Sequence, residues 1–216
     1  MIDFDCDAVL FDLDGTLVDS TAAVIRAWQA TAAKLDIPFA AFEPYLHGIP
    51  GDKVMATVAP HLTPEQIDEL SQWMLASEAA DTDGVVAAPG AAEALDGLPP
   101  NRWAIVTSGD TRLATARIAA AGLPMPKVLV TIDDIRRGKP DPEPYLQGAA
   151  RLGFAPARCL VVEDAPAGVE SGQRAGMPVL GVLTTYPRLD ATATVPDLST
   201  VDIHVDDEGL RVTTTR

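Results

Sequence analysis

A chain of 216 residues is long enough for one core with a small appended unit. With 47% hydrophobic and 22% charged residues it has the balance of a globular protein, and no apolar stretch reaches the length of a membrane span. A net charge of −15 repels nucleic acid and anionic lipid, so any phosphate site must be made positive locally, by a metal ion or a few placed cations. Cys6 and Cys159 lie far apart and form no CxxC pair, which speaks against a disulfide framework. His47, His61 and His204 lack the spacing of zinc ligands. The first residues carry acids where a signal peptide would carry basic groups. The expectation is a cytoplasmic protein with no membrane or nucleic-acid partner.

The first predicted element is the apolar run "AVLFD" (8–12), read as a buried strand. It ends abruptly in Asp12, Leu13, Asp14, Gly15 and Thr16. Residues 21–80 then read as helical throughout. In "STAAVIRAWQATAAKL", Ile25, Trp28, Ala32 and Leu35 recur at helical spacing, with Ser20 or Thr21 as the N-cap. In "TPEQIDELSQWMLASEAA", Thr63 is the predicted N-cap and Pro64 takes the first helical position. Further strands are predicted at 103–108, 127–132, 159–164 and 178–184, with helices near 111–121, 142–152 and 166–175 between them. Strand alternating with helix implies an α/β fold, a Rossmann-like parallel sheet with helices on both faces. Near-continuous apolar strands fit burial on both sides. The helical stretch is read as an insert at 19–86, with the core formed by 1–18 and 87–216 and "LVDST" and "DTDGVVAAPG" as linkers. The tail "VDIHVDDEGLRVTTTR" reads as a terminal hairpin. Gly168, Gly172 and Gly176 recur every four residues, which indicates close helix packing rather than a nucleotide loop.

Three predicted strands end in polar groups: the first in Asp12, the second in Thr107 and Ser108, a later one in Glu163 and Asp164. Parallel α/β sheets bind ligands at the carboxyl ends of their strands. A fourth element, "RRGKPDPEPY", sets Lys139 in a loop stiffened by Pro140 and Pro142. A calcium loop of the EF-hand kind fails, because counting from Asp12 its glycine position holds Leu17 and its final glutamate position holds Ala23. The remaining alternatives are a turn carrying two acids and a site that does chemistry.

"FDLDGTLVDS", "VTSG", "RGKPDPEPY" and "VVEDAPAGVESGQRAG" resemble, in order, the four motifs of the haloacid dehalogenase superfamily. The insert resembles its small C1-type α-helical cap. Within the superfamily the longer strings are most similar to sugar and hexitol phosphatases and to the β-phosphoglucomutase-like group. The resemblance implies a phosphoric monoester hydrolase of a small sugar or polyol phosphate, using Mg²⁺ and an aspartyl-phosphate intermediate. It implies that Asp12 is the nucleophile and Asp14 the proton carrier. Asp12, Asp164 and the Asp14 carbonyl would hold the metal, with Glu163 in a supporting or water-mediated contact. Thr107 or Ser108, with nearby backbone N–H groups such as that of Gly109, would hold the phosphoryl oxygens, and Lys139 would add a cation beside them. A carboxylate is a competent nucleophile toward phosphorus, and a hard cation offsets the repulsion between two anions. A halide leaving group needs no proton, so the second aspartate favours ester over carbon–halogen chemistry.

In related proteins, "YLHGIPGDKVM" (45–55) is the stretch that contacts substrate, which singles out His47 and Lys53. The mutases carry an arginine here that grips a distal phosphate; this chain has Gly51, which speaks against a mutase. The partner expected is a small phosphorylated molecule, bound by a monomer. The alternatives are a β-phosphoglucomutase-type phosphotransferase, a phosphatase of another small ester such as glycerol phosphate, and a non-catalytic metabolite-binding protein.

Overall fold

The structure is a computed structural model and describes residues 3–45, 51–206 and 209–214. The chain opens with β1 (Asp3–Cys6), β2 (Ala8–Phe11) and β3 (Val18–Asp19). Three helices follow, α1 (Thr21–Leu35), α2 (Gly51–Val58) and α3 (Pro64–Ala80). β4 (Val86–Ala87), α4 (Ala91–Leu95), β5 (Trp103–Val106), α5 (Thr111–Ala120) and β6 (Leu129–Val130) come next. The chain continues through α6 (Glu143–Leu152), β7 (Cys159–Glu163), α7 (Pro166–Arg174) and β8 (Val179–Val182). It closes with β9 (Ala193–Val195), β10 (Val201–Val205) and β11 (Leu210–Thr214).

Six strands form a parallel sheet in the order β6-β5-β2-β7-β8-β9. The chain builds outward from β2 on one side and then returns to its other side, so the sheet has a switch point at β2. There the loops leaving neighbouring strands diverge and leave a crevice at the carboxyl ends. Side chains alternate between the faces of each strand. Val9 and Phe11 of β2 join Ile105, Leu160 and Val162 under α4 and α5, while Ala8 and Leu10 join Ala104 and Val161 under α6 and α7. Each such side chain taken fully out of water contributes about 2 kcal/mol, and four of these strands are buried along their whole length. The α/β class, the parallel sheet and the helical insert are as read from the sequence.

The insert has its own apolar cluster, in which Trp28, Phe42, Met55, Leu70 and Met74 meet, with the Trp28 and Phe42 rings 5.4 Å apart. β3 and β4 pair antiparallel where the chain leaves and re-enters the layered part. Thr63 caps α3 as expected, in a reciprocal box with Gln66, and Pro64 follows it. Ser20 holds the N-cap position of α1 but makes no capping bond; its hydroxyl is spent on Asp14.

The strand expected at 127–132 is shorter than read. Only Leu129 and Val130 pair, because Thr131 and Asp134 cap a 3-10 turn that ends the strand. The terminal hairpin is present as β10 and β11, and β1 adds a third antiparallel strand that the sequence reading missed. Gly172 does pack closely, against Val161 and Val179 of the sheet, but Gly176 lies beyond the end of α7 with φ +75°. No described helix is long and apolar enough to cross a membrane.

Candidate active site

Asp12 stands one residue past β2, and its N–H still follows the ladder, donating to Val162 at 2.9 Å. The chain then turns sharply. Leu13 accepts from the N–H groups of Leu17 and Val18, and both leucines are buried as anchors. Gly15 is required at this turn for two reasons. Its φ is +85°, and a Cβ would lie 2.1 Å from Asp164 Oδ2. The turn is also tied down from beyond β8, since Thr184 donates to the Gly15 carbonyl.

Four ionisable groups converge beneath the crevice. Lys139, buried in the loop before α6, donates to Asp12 Oδ1 at 2.5 Å, Glu163 Oε1 at 2.7 Å and the Val106 carbonyl at 2.9 Å. These bonds use all three ammonium hydrogens. In this arrangement Lys139 acts on its surroundings by charge and by fixing Asp12, rather than by a further bond to a phosphoryl oxygen. Glu163 is equally committed. Oε1 accepts from Lys139 and from Tyr145 at 3.0 Å, and Oε2 accepts from the N–H groups of Asp164 and Ala165 at 2.9 Å. Those last two amides enter α7, whose N-terminal end favours a carboxylate.

Burial pushes the Asp12 carboxyl well above the usual range, against the pull of Lys139 and with the repulsion of Glu163 and Asp164. Asp164 is pushed up to about 7 by burial and by Glu163, while a Thr185 hydrogen bond and Lys139 oppose the shift. Burial alone would push Lys139 down; Asp12 and Glu163 outweigh it and hold the ammonium charged. Three buried carboxylates thus face one cation. Asp12, Glu163 and Asp164 present oxygens all within 4.8 Å of one another. An all-oxygen set with excess negative charge suits a hard divalent cation. Because the lone pairs of Glu163 are largely taken, Asp12 and Asp164 are the carboxylates best placed to ligate.

Asp14 lies across the turn from Asp12. Ser20 donates to its Oδ1 at 2.8 Å and Arg117 Nη1 reaches its Oδ2 at 2.7 Å. The other end of the Arg117 fork binds Glu78 of the insert. Burial pushes Glu78 up to about 7 against the pull of Arg117, while the Arg117 guanidinium is held charged by Asp14 and Glu78 against its own burial. Neither residue was singled out in the sequence. The signal was there: Arg117 falls with Leu113, Ala114 and Ile118 on the buried stripe of α5, and Glu78 follows Leu70 and Met74 at four-residue steps on α3.

A cavity of about 550 Å³ opens between insert and sheet. Asp12, Asp14, Thr107, Ser108, Gly109, Lys139 and Asp164 line its floor, and Trp28, Met55, Met74 and Lys53 line its roof. Thr107 is buried and its hydroxyl accepts from the Gly109 N–H at 3.1 Å, whereas Ser108 is exposed. Lys53, on α2, is exposed at the cavity. His47 lies outside the described residues.

The closeness of Glu163 to α7 gives one direct prediction. A Cβ on Gly168 would lie 1.6 Å from Glu163 Oε1. Gly168→Ala must therefore displace the carboxylate that anchors Lys139, at a cost of about 2–3 kcal/mol, or a drop in Tm of roughly 4–12 °C. Gly138 has open space around it and no positive φ, so Gly138→Ala is the control and should change Tm little. Equal shifts in the two variants, read by thermal melting, would show that Glu163 is not held as described.

Comparison with known proteins agrees with this geometry. Residues 6–176 match the model of haloacid dehalogenase-like hydrolases. The chain is 42% identical over 207 residues to hexitol phosphatase A of Escherichia coli K12, covering 92% of this chain and 89% of that protein. It is 33% identical over 192 residues to glycerol-1-phosphate phosphohydrolase 1 of Saccharomyces cerevisiae, covering 83% and 76%. The crystal structure of a hydrolase from Pseudomonas syringae superposes with a TM-score of 0.78 at 28% identity, covering 89% of this chain and 94% of that one. Strand order, acidic cluster and sequence agree, and the chain belongs to the haloacid dehalogenase-like hydrolases.

Proposed function

We propose that the protein is a Mg²⁺-dependent phosphatase of a small sugar or polyol phosphate, with residues 1–18 and 87–216 as catalytic core and 19–86 as the cap. The observation that carries this reading is the pairing of two aspartates with different partners at one cavity. Asp12 is gripped by Lys139 and Asp14 by Ser20 and Arg117. One carboxylate is fixed for attack and the other stands beside it for proton transfer.

Lys139 takes Oδ1 of Asp12, so Oδ2 is the oxygen that attacks phosphorus. As that bond forms, the bond from phosphorus to the ester oxygen breaks, and Asp14 gives its proton to the departing alkoxide. Water then attacks the aspartyl-phosphate, Asp14 takes a proton from it, and the Asp12 carboxylate is restored with release of phosphate. The hydroxyl of Thr107 or of Ser108 steadies the phosphoryl oxygens at the end of β5, and phosphoryl transfer is largely such positioning and charge. Asp12, Asp164 and the Asp14 carbonyl would hold Mg²⁺, and the chemistry it would supply there is charge neutralisation between nucleophile and phosphoryl group. The apolar roof of Trp28, Met55 and Met74 excludes water, and Lys53, exposed at the cavity, is the cap residue that meets the leaving group. The identity with a hexitol phosphatase supports the substrate class.

The test is phosphate release from a panel of hexitol, sugar, glycerol and nucleotide monophosphates, with Mg²⁺ and with EDTA. Release from a hexitol or sugar ester at least about tenfold faster than from nucleotides, and lost in EDTA, is expected; a factor of ten is about 1.4 kcal/mol of discrimination. No release from any ester by folded protein overturns the hydrolase reading in favour of transfer within one sugar.

A further inference from the structure

Arg117 is only 4% exposed, yet it comes from a core helix and binds one carboxylate from the catalytic turn and one from the insert. Glu78 is 7% exposed and sits at the end of α3 that packs on α5. We propose that Arg117 is a positioning residue for Asp14, and that Glu78 makes this positioning depend on the insert being seated on the core. The proposal rests on Asp14 being the proton carrier.

Three observations carry it. Both oxygens of Asp14 are engaged, one by Ser20 at the root of α1 and one by Arg117, so its rotamer is set from two sides. The planar guanidinium spans two carboxylates at once, which a flexible ammonium does not reproduce with the same geometry. Arg117 Nε is also the buried side-chain polar atom without a hydrogen-bond partner among the described residues. A cation placed only to tie two helices together would be expected to satisfy that donor, since leaving one buried and unpaired is costly. Its orientation instead serves Asp14 and Glu78. When the insert lifts, Glu78 leaves with α3, the fork loses one partner and the hold on Asp14 changes. Proton delivery is thereby restricted to the closed arrangement, in which the cavity is covered.

A tether that only stabilises would affect every substrate alike, whereas a residue that aims a general acid affects the step that needs a proton. The measurement is kcat/KM, which ends at departure of the leaving group, on p-nitrophenyl phosphate and on a hexitol phosphate. An aryl oxide departs without help; an alkoxide does not. Arg117→Gln is expected to lower kcat/KM on the hexitol ester by roughly 10–100-fold and on the aryl ester by less than about 3-fold. Glu78→Gln should give the same selectivity with a smaller loss. The double variant should be no worse than Arg117→Gln, because Glu78 acts through Arg117. Arg117→Lys, which keeps the charge but not the planar fork, should show the same selectivity with a smaller loss. Equal losses on both esters, or additive losses in the double variant, overturn the proposal when Asp14→Asn is itself selective for the hexitol ester. If Asp14→Asn is not selective, the proton-carrier reading falls and takes this one with it. Should Arg117→Gln fail to fold, Glu78→Gln and Arg117→Lys decide the question alone.

Discussion

Asp12→Asn should give a folded protein with no measurable turnover, a loss of at least about 10⁴-fold in kcat. The change is isosteric, and Asp12 is packed at the end of a fully buried strand, so the backbone has little reason to move. An amide can still accept from Lys139 through its oxygen, but it lacks the charge and nucleophilicity needed to attack phosphorus. It also removes one of the carboxylates that would hold the metal. Stability should change modestly. The variant loses the ion pair with Lys139 but relieves the repulsion among Asp12, Glu163 and Asp164 that burial aggravates. The checks are phosphate release on the best ester, thermal melting and intact mass, the last to exclude hydrolysis of the amide back to the acid. Hydrolysis within tenfold of the parent in mass-verified protein would end the covalent mechanism. A Tm lowered by far more than a few degrees would show that Asp12 is chiefly structural.

What the sequence disclosed and what it withheld divide along physical lines. The strands β2, β5 and β7 were legible because they are buried on both faces and read as unbroken apolar runs. The polar groups that end them stood out for the same reason, and they meet at the switch point of the sheet. β1 and β9 were missed because an outer strand buries little and shows no such run; along β1 only Cys6 is buried. The two-residue strands β3 and β4 are too short to carry any period. Glu163 was expected to support the metal, but only the structure shows its lone pairs divided among Lys139, Tyr145 and the two amides that lead into α7. Arg117 and Glu78 are separated by 39 residues and lie on different helices. Each marks itself only as a charge on an apolar stripe, and pairing them requires the packing of α3 on α5.

Lys139→Met tests the same cluster from the cationic side, through stability as well as rate. Methionine fills much the same volume, and Tyr145 lies close enough to contact it, with the ammonium now 5.0 Å from the ring centre. What disappears is the charge. Asp12 and Glu163 would remain buried without their cation, and breaking a buried pair in this way costs about 3–5 kcal/mol. For a chain of this size that is a fall in Tm of roughly 6–20 °C near pH 8. The deficit should depend on pH in a defined direction. Burial already holds the folded Asp12 well above the ordinary aspartate value, and Lys139 is the main influence pulling it down. Without Lys139 it rises further, so folded protein keeps the proton to higher pH than unfolded chain does. A group raised in this way contributes stability that is fully present below its unfolded value, about 4, and is lost as pH climbs through the folded one. The variant should therefore lag the parent most at pH 8 and recover part of the difference at pH 5.5. Turnover should fall by roughly 10²–10³-fold, as when one preorganised electrostatic group is removed from a dry site. Paired melts at the two pH values decide the matter: an unchanged difference would mean that Lys139 does not govern the charge on Asp12.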